Sequence, residues 1–107
     1  GYPVTYNNPK LVENMLPTLV GISGKEGVSL IHAHMGAEDF SYFQEKTPGF
    51  FFFLGARPAD KKATEVAAHH TPDFYLDESK FQIGVKALSH LVVDYFDQAM
   101  NVKKLKK

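Results

Sequence analysis

Five consecutive apolar residues, Phe50-Phe51-Phe52-Phe53-Leu54, stand between Gly49 and Gly55. A run this short has the length of a strand, and its apolar character on both parities demands cover on both faces. It therefore predicts a strand inside an α/β layer. Residues 28–35, apolar with His32 and His34 interleaved, read as a second strand that Gly36 breaks. Residues 2–6 read as a short strand or extended entry stopped by Asn7-Asn8-Pro9. Asn8 is a good N-cap and Pro9 suits a first helical position. Leu11, Val12, Met15, Leu16, Leu19 and Val20 recur at three- and four-residue spacing, which predicts a helix over residues 9–22. Pro17 inside it predicts a kink or an early end, and Gly21 and Gly24 suit its C-terminal side. Residues 38–46 read as a short helix, residues 57–71 as a loop that tightens at His69-His70. Asp77 caps a last helix over residues 78–99, with Phe81, Val85, Leu88, Leu91, Val92, Tyr95 and Phe96 as its apolar stripe and Lys80, Lys86, Asp94 and Asp97 largely off it. The predicted fold class is α/β, a layered sheet with covering helices.

One domain is expected from 107 residues, and 44% hydrophobic content supplies a small core. Twelve basic and twelve acidic residues cancel, which leaves no case for a nucleic-acid partner. Lys103, Lys104, Lys106 and Lys107 cluster at the tail and read as a solvated, frayed end. The chain has no cysteine. That rules out disulfides and thiolate sites, leaves His and carboxylate for any transition metal, and suits a reducing, cytoplasmic compartment. No apolar run reaches the roughly 20 residues of a membrane span, and no signal peptide is visible. Gly1 in place of an initiator methionine suggests a piece of a longer protein.

Two stretches are poor ways to build a core. Met35-Gly36-Ala37-Glu38-Asp39-Phe40-Ser41-Tyr42-Phe43 sets two adjacent carboxylates after a glycine; Ala68-His69-His70-Thr71-Pro72-Asp73-Phe74 sets two adjacent imidazoles in a loop that ends in proline. Together they suggest a site for a cation or a polar substrate. Carboxylates in a helix's first turn also serve simply as partners of its dipole. His32 and His34, two apart, share one face of a strand; a pair so spaced can chelate a metal, but the two read as partly buried, hydrogen-bonded side chains, and His90, mid-helix near the polar edge of the stripe, reads as ordinary.

These stretches, with Pro48-Gly49 and the phenylalanine run between them and a closing helix after them, resemble the C-terminal end of the N-acyl-amino-acid amidohydrolases. That group includes hippurate hydrolase and the auxin-conjugate amidohydrolases and, more distantly, aminoacylase and the glutamate carboxypeptidases, all di-metal peptidases. The resemblance runs from about Tyr2 to about Gln98. It implies that residues 1–107 are a C-terminal segment of a metal-dependent catalytic domain. In the resembled family the histidine directly before the Ser/Thr-Pro step is a metal ligand, which falls on His70, with zinc, manganese or cobalt as the ion and two ions in the complete enzyme. The same resemblance places Glu38 and Asp39 beside the active site, to hold a ligand histidine or to contact substrate; His69, adjacent to His70, cannot easily aim at the same ion along a regular backbone and reads as a packing or supporting neighbour. The implied substrate is a small N-acyl amino acid or dipeptide, and the enzyme is a possible homo-oligomer. The bridging acid, the glutamate pair and the other histidine belong to the family's N-terminal half, so the isolated chain is expected to be inactive. The alternatives are a stand-alone α/β interaction module without catalysis and a small metal-binding domain built on His32, His34, His69 and His70.

Overall fold

The computed structural model describes residues 1–105, the last four as helix backbone. Lys106 and Lys107 of the basic tail lie outside the described residues, and Lys103 and Lys104 continue the last helix. Three α-helices carry the fold: α1 (Pro9–Ser23), α2 (Phe40–Gln44) and α3 (Phe81–Leu105). Short 3-10 turns lie at Lys25–Gly27, Ala63–Glu65 and Glu78–Lys80.

The α/β layer is not seen. Among the described residues there is no strand and no sheet. A strand exists only through the ladder of its neighbours, and the apolar runs find none. Residues 29–37 make no backbone hydrogen bond to any described residue, and Leu30 and Met35 are fully exposed. The phenylalanine run keeps the two-residue alternation of an extended chain, with ring pairs Phe50–Phe52 at 5.7 Å and Phe51–Phe53 at 5.2 Å. The flanking Gly49 carbonyl accepts from the Asn8 N–H at 3.0 Å, and within the run the one partner of the backbone is a side chain. Asn7 Oδ1 accepts from the Phe51 N–H at 2.7 Å, and Asn7 Nδ2 donates to the Phe51 carbonyl at 2.7 Å. An amide group thus stands where a neighbouring strand would. Residues 2–6, expected as a strand, are irregular as well, anchored through the Tyr6 N–H to Gln44 Oε1.

Helix α1 starts as its sequence dictates. Asn8 Oδ1 accepts from the Leu11 N–H at 2.9 Å, and Pro9 occupies the first turn. Pro17 does not end it: the helix runs on to Ser23, where Gly24, at φ 74°, donates its N–H back to the Val20 carbonyl. Met15, Thr18 and Leu19 are the buried face. Ala87 of α3 is also buried. Thr18 Oγ1 donates to Asp94 Oδ2 at 2.6 Å, and Gln98 Nε2 donates to the Asn14 carbonyl at 3.3 Å. Helix α3 therefore meets α1 on the face of Ala87, Leu91, Asp94 and Gln98, not on its broad apolar stripe. Of that stripe only Leu91 is half-buried; Val85, Leu88, Val92 and Phe96 stay exposed, Val85 at 67%. The Thr18 hydroxyl gives the otherwise off-stripe Asp94 a partner.

Candidate active site

Helix α2 is shorter than its sequence suggests, and both carboxylates lie before it rather than in its first turn. Glu38 is half-buried. Its Oε1 accepts from the Phe40 N–H at 3.1 Å, and its carbonyl accepts from the buried Ser41 hydroxyl at 2.7 Å. Glu38 thereby satisfies donors that a helix start leaves open. Asp39 is exposed and makes no side-chain bond at the cap. Of the two carboxylates, Asp39 is the one with both oxygens available to a ligand.

The loop after the phenylalanine run is irregular, as its sequence predicts, and it is pinned at intervals. The Lys62 N–H donates to Glu65 Oε2 and the Glu65 N–H to the Lys62 carbonyl, which closes the turn at Ala63–Glu65. The Asp77 N–H donates to the Ala56 carbonyl at 2.7 Å and ties the two ends of the loop together. Between these lie two successive turns that share Thr71. In the first, residues 68–71, the Thr71 hydroxyl donates to the Ala68 carbonyl at 2.7 Å. In the second, residues 71–74, the Phe74 N–H donates to the Thr71 carbonyl at 3.2 Å, with Pro72 where its fixed φ suits a turn.

His70 is third in the first turn, and its φ is 63°. It is the one non-glycine residue with a positive φ among the described residues. Side chains with a Cβ enter this left-handed region at a cost, and such positions gather at functional sites. The His70 imidazole is exposed and makes no hydrogen bond to any described residue, so both ring nitrogens are available. The His69 ring points elsewhere: it lies edge-on to Phe74 at 4.8 Å and 6.4 Å from the His70 ring. His32 and His34 are exposed, and His34 lies 5.7 Å from the Phe53 ring.

The structure does not draw these groups into one cluster. Among the described residues no three of His, Asp and Glu are placed to hold a metal ion together. A catalytic zinc ion takes three protein donors. His70 is exposed, and its ring nitrogens make no hydrogen bond to any described residue. Two contributors escape the sequence reading. The Thr71 hydroxyl had a signal, since Ser/Thr side chains close turns on nearby backbone groups. The double bond of Asn7 to Phe51 had none, because its partner lies 44 residues away.

The family model described as peptidase family M20/M25/M40 matches residues 1–94. Thermostable carboxypeptidases 2 and 1 of Saccharolobus solfataricus are 34% and 35% identical over 94 residues, which is 88% of this chain and 23% of each carboxypeptidase. IAA-amino acid hydrolase ILR1-like 6 of Arabidopsis thaliana is 31% identical over 83 residues, 78% of this chain and 18% of the hydrolase. The chain thus spans about a quarter or less of the length of these curated relatives. No solved structure matches. No helix among the described residues is long and apolar enough to cross a membrane.

Proposed function

The chain belongs to peptidase family M20/M25/M40, and on that premise we propose that it is the C-terminal segment of the catalytic domain of a metal-dependent amidohydrolase. The complete protein hydrolyses the amide bond of small N-acyl amino acids or dipeptides. The observation that carries this reading is the match over residues 1–94, whose relatives are named as carboxypeptidases and as an amino acid conjugate hydrolase. The left-handed backbone at His70 supports it independently, by marking the residue that the motif singles out.

His70 would hold a divalent ion such as zinc, manganese or cobalt through one imidazole nitrogen in the complete enzyme, and that ion would supply Lewis-acid chemistry for amide hydrolysis. The turn at residues 68–71 aims that nitrogen away from the loop's own packing, and His69, held against Phe74, does not compete for the same position. Glu38 fixes the start of α2 by capping the Phe40 N–H. That leaves Asp39 free at the same corner to meet a polar substrate group or to orient a ligand histidine. The remaining ligands and the general base come from the parts of the relatives that this chain does not span.

The test is hydrolysis of an N-acyl amino acid by the complete gene product, by its His70→Ala variant and by the 107-residue chain alone. The complete protein is expected to be active. His70→Ala should lose at least about a hundredfold in kcat/KM, since removing a metal ligand removes the ion's contribution to the transition state. The chain alone should be inactive and self-associate through its uncovered apolar face. An active complete protein with full activity after His70→Ala would remove His70 from the site.

A further inference from the structure

We infer that Thr71 and Phe74 are positioning residues for His70, a paired clamp that holds its backbone in the left-handed turn and its imidazole outward. This rests on the reading of His70 as a metal ligand. Three contacts carry it. The Thr71 hydroxyl donates to the Ala68 carbonyl at 2.7 Å and closes the turn that has His70 in its third place. A left-handed φ at the third position is what a type II turn requires, and glycine or asparagine normally supplies it. Histidine enters the left-handed region more readily than most residues, but with a Cβ it stays at φ 63° at a cost, which contacts of its neighbours offset. The second contact is the edge-on packing of His69 on Phe74 at 4.8 Å, which fixes the residue just before His70. The third is the bond from the Phe74 N–H to the Thr71 carbonyl, which links the two halves through one peptide.

Pro72 contributes to the same end. A proline restricts the residue before it to extended backbone, so Thr71 is confined on its C-terminal side while its hydroxyl reaches back over His70. A β-branched valine at position 71 would keep that backbone preference and lose only the hydroxyl. The clamp acts on His70 through the backbone; neither Thr71 nor Phe74 touches the ion.

The experiment is zinc affinity of the complete gene product, by competition with a chromophoric chelator, beside the melting temperature of each metal-free variant. Thr71→Val should bind zinc roughly tenfold more weakly, the range expected when a group that orients a metal ligand is lost. Thr71→Ser, which keeps the hydroxyl, should stay within about twofold of the wild type, and Phe74→Leu should weaken binding about fivefold. The metal-free melting temperatures should stay close to the wild type, because the Thr71 bond is exposed. Zinc binding by Thr71→Val equal to that of the wild type, or Thr71→Ser as weak as Thr71→Val, overturns the clamp. If Thr71→Val fails to fold, Phe74→Leu decides the question in the same assay. His70→Ala is the control for the underlying reading: if it keeps the wild-type zinc stoichiometry and affinity, His70 is no ligand and the clamp falls with it. If His70→Ala loses zinc while Thr71→Val and Phe74→Leu do not, the ligand stands and the clamp alone is wrong.

Discussion

Asn7 shows how much of this molecule is decided by single side chains. Its amide takes both backbone groups of Phe51 at 2.7 Å and accepts a third bond from Gln44 Nε2 at 3.3 Å. The same corner leaves no room at Gly49, where a Cβ would lie 2.5 Å from Gln44 Cγ. Asn7→Ala leaves the half-buried N–H and carbonyl of Phe51 without partners, and the cost of such a loss is about 1–3 kcal/mol. A chemical unfolding curve of the complete protein should shift to lower denaturant by that amount; an unshifted midpoint would mean water replaces the amide at no cost. At this scale the sequence was uneven as a guide. The Asn8 cap was legible because its partner is three residues away. The left-handed φ of His70 was not, because histidine, though enriched in that region, adopts it too rarely to announce one position.

At the scale of elements, the helices were legible and the strands were not. Helix α1 and helix α3 carry their own hydrogen bonds, so spacing and caps specify them locally. The apolar runs at residues 28–35 and 50–54 have strand composition, but a strand is completed by another strand, and none is present among the described residues. The α3 stripe was legible as a pattern, yet which part of it packs depended on Ala87 and on the Thr18–Asp94 bond. The start of α3 is sensitive to acid. Hydrogen bonding from Ser79, side chain and then backbone, holds the Asp77 carboxyl below the ordinary aspartate range, with Lys80 adding to it. A depressed folded pKa stabilises above the unfolded value and is lost as pH falls through the folded one. The turn at Glu78–Lys80 should therefore hold above about pH 4 and loosen below it. The Ser79 amide resonance, followed from about pH 5 to about pH 2, should move with that titration in the wild type and lose the dependence in Asp77→Asn; an identical response in both would place the titrating group elsewhere.

At the scale of the whole molecule, the shape is that of a part. The radius of gyration is 16.4 Å, against about 13 Å for a compact chain of this length. The accessible surface is 9130 Å², against roughly 6000 Å² for a folded monomer of 12.0 kDa. The excess lies where the sequence expected cover: the outer face of α3, the bare backbone of residues 29–37, and the trough between Leu54, Phe52 and Leu88. The proposed site would likewise be a part: His70 and Asp39 are exposed on this chain, and the remaining groups would have to come from outside it. The most direct test of the central claim is a crystal structure of the complete gene product grown with zinc. The account predicts an imidazole nitrogen of His70 about 2.0–2.1 Å from a bound ion. A bound ion with the His70 ring turned away from it would contradict the account.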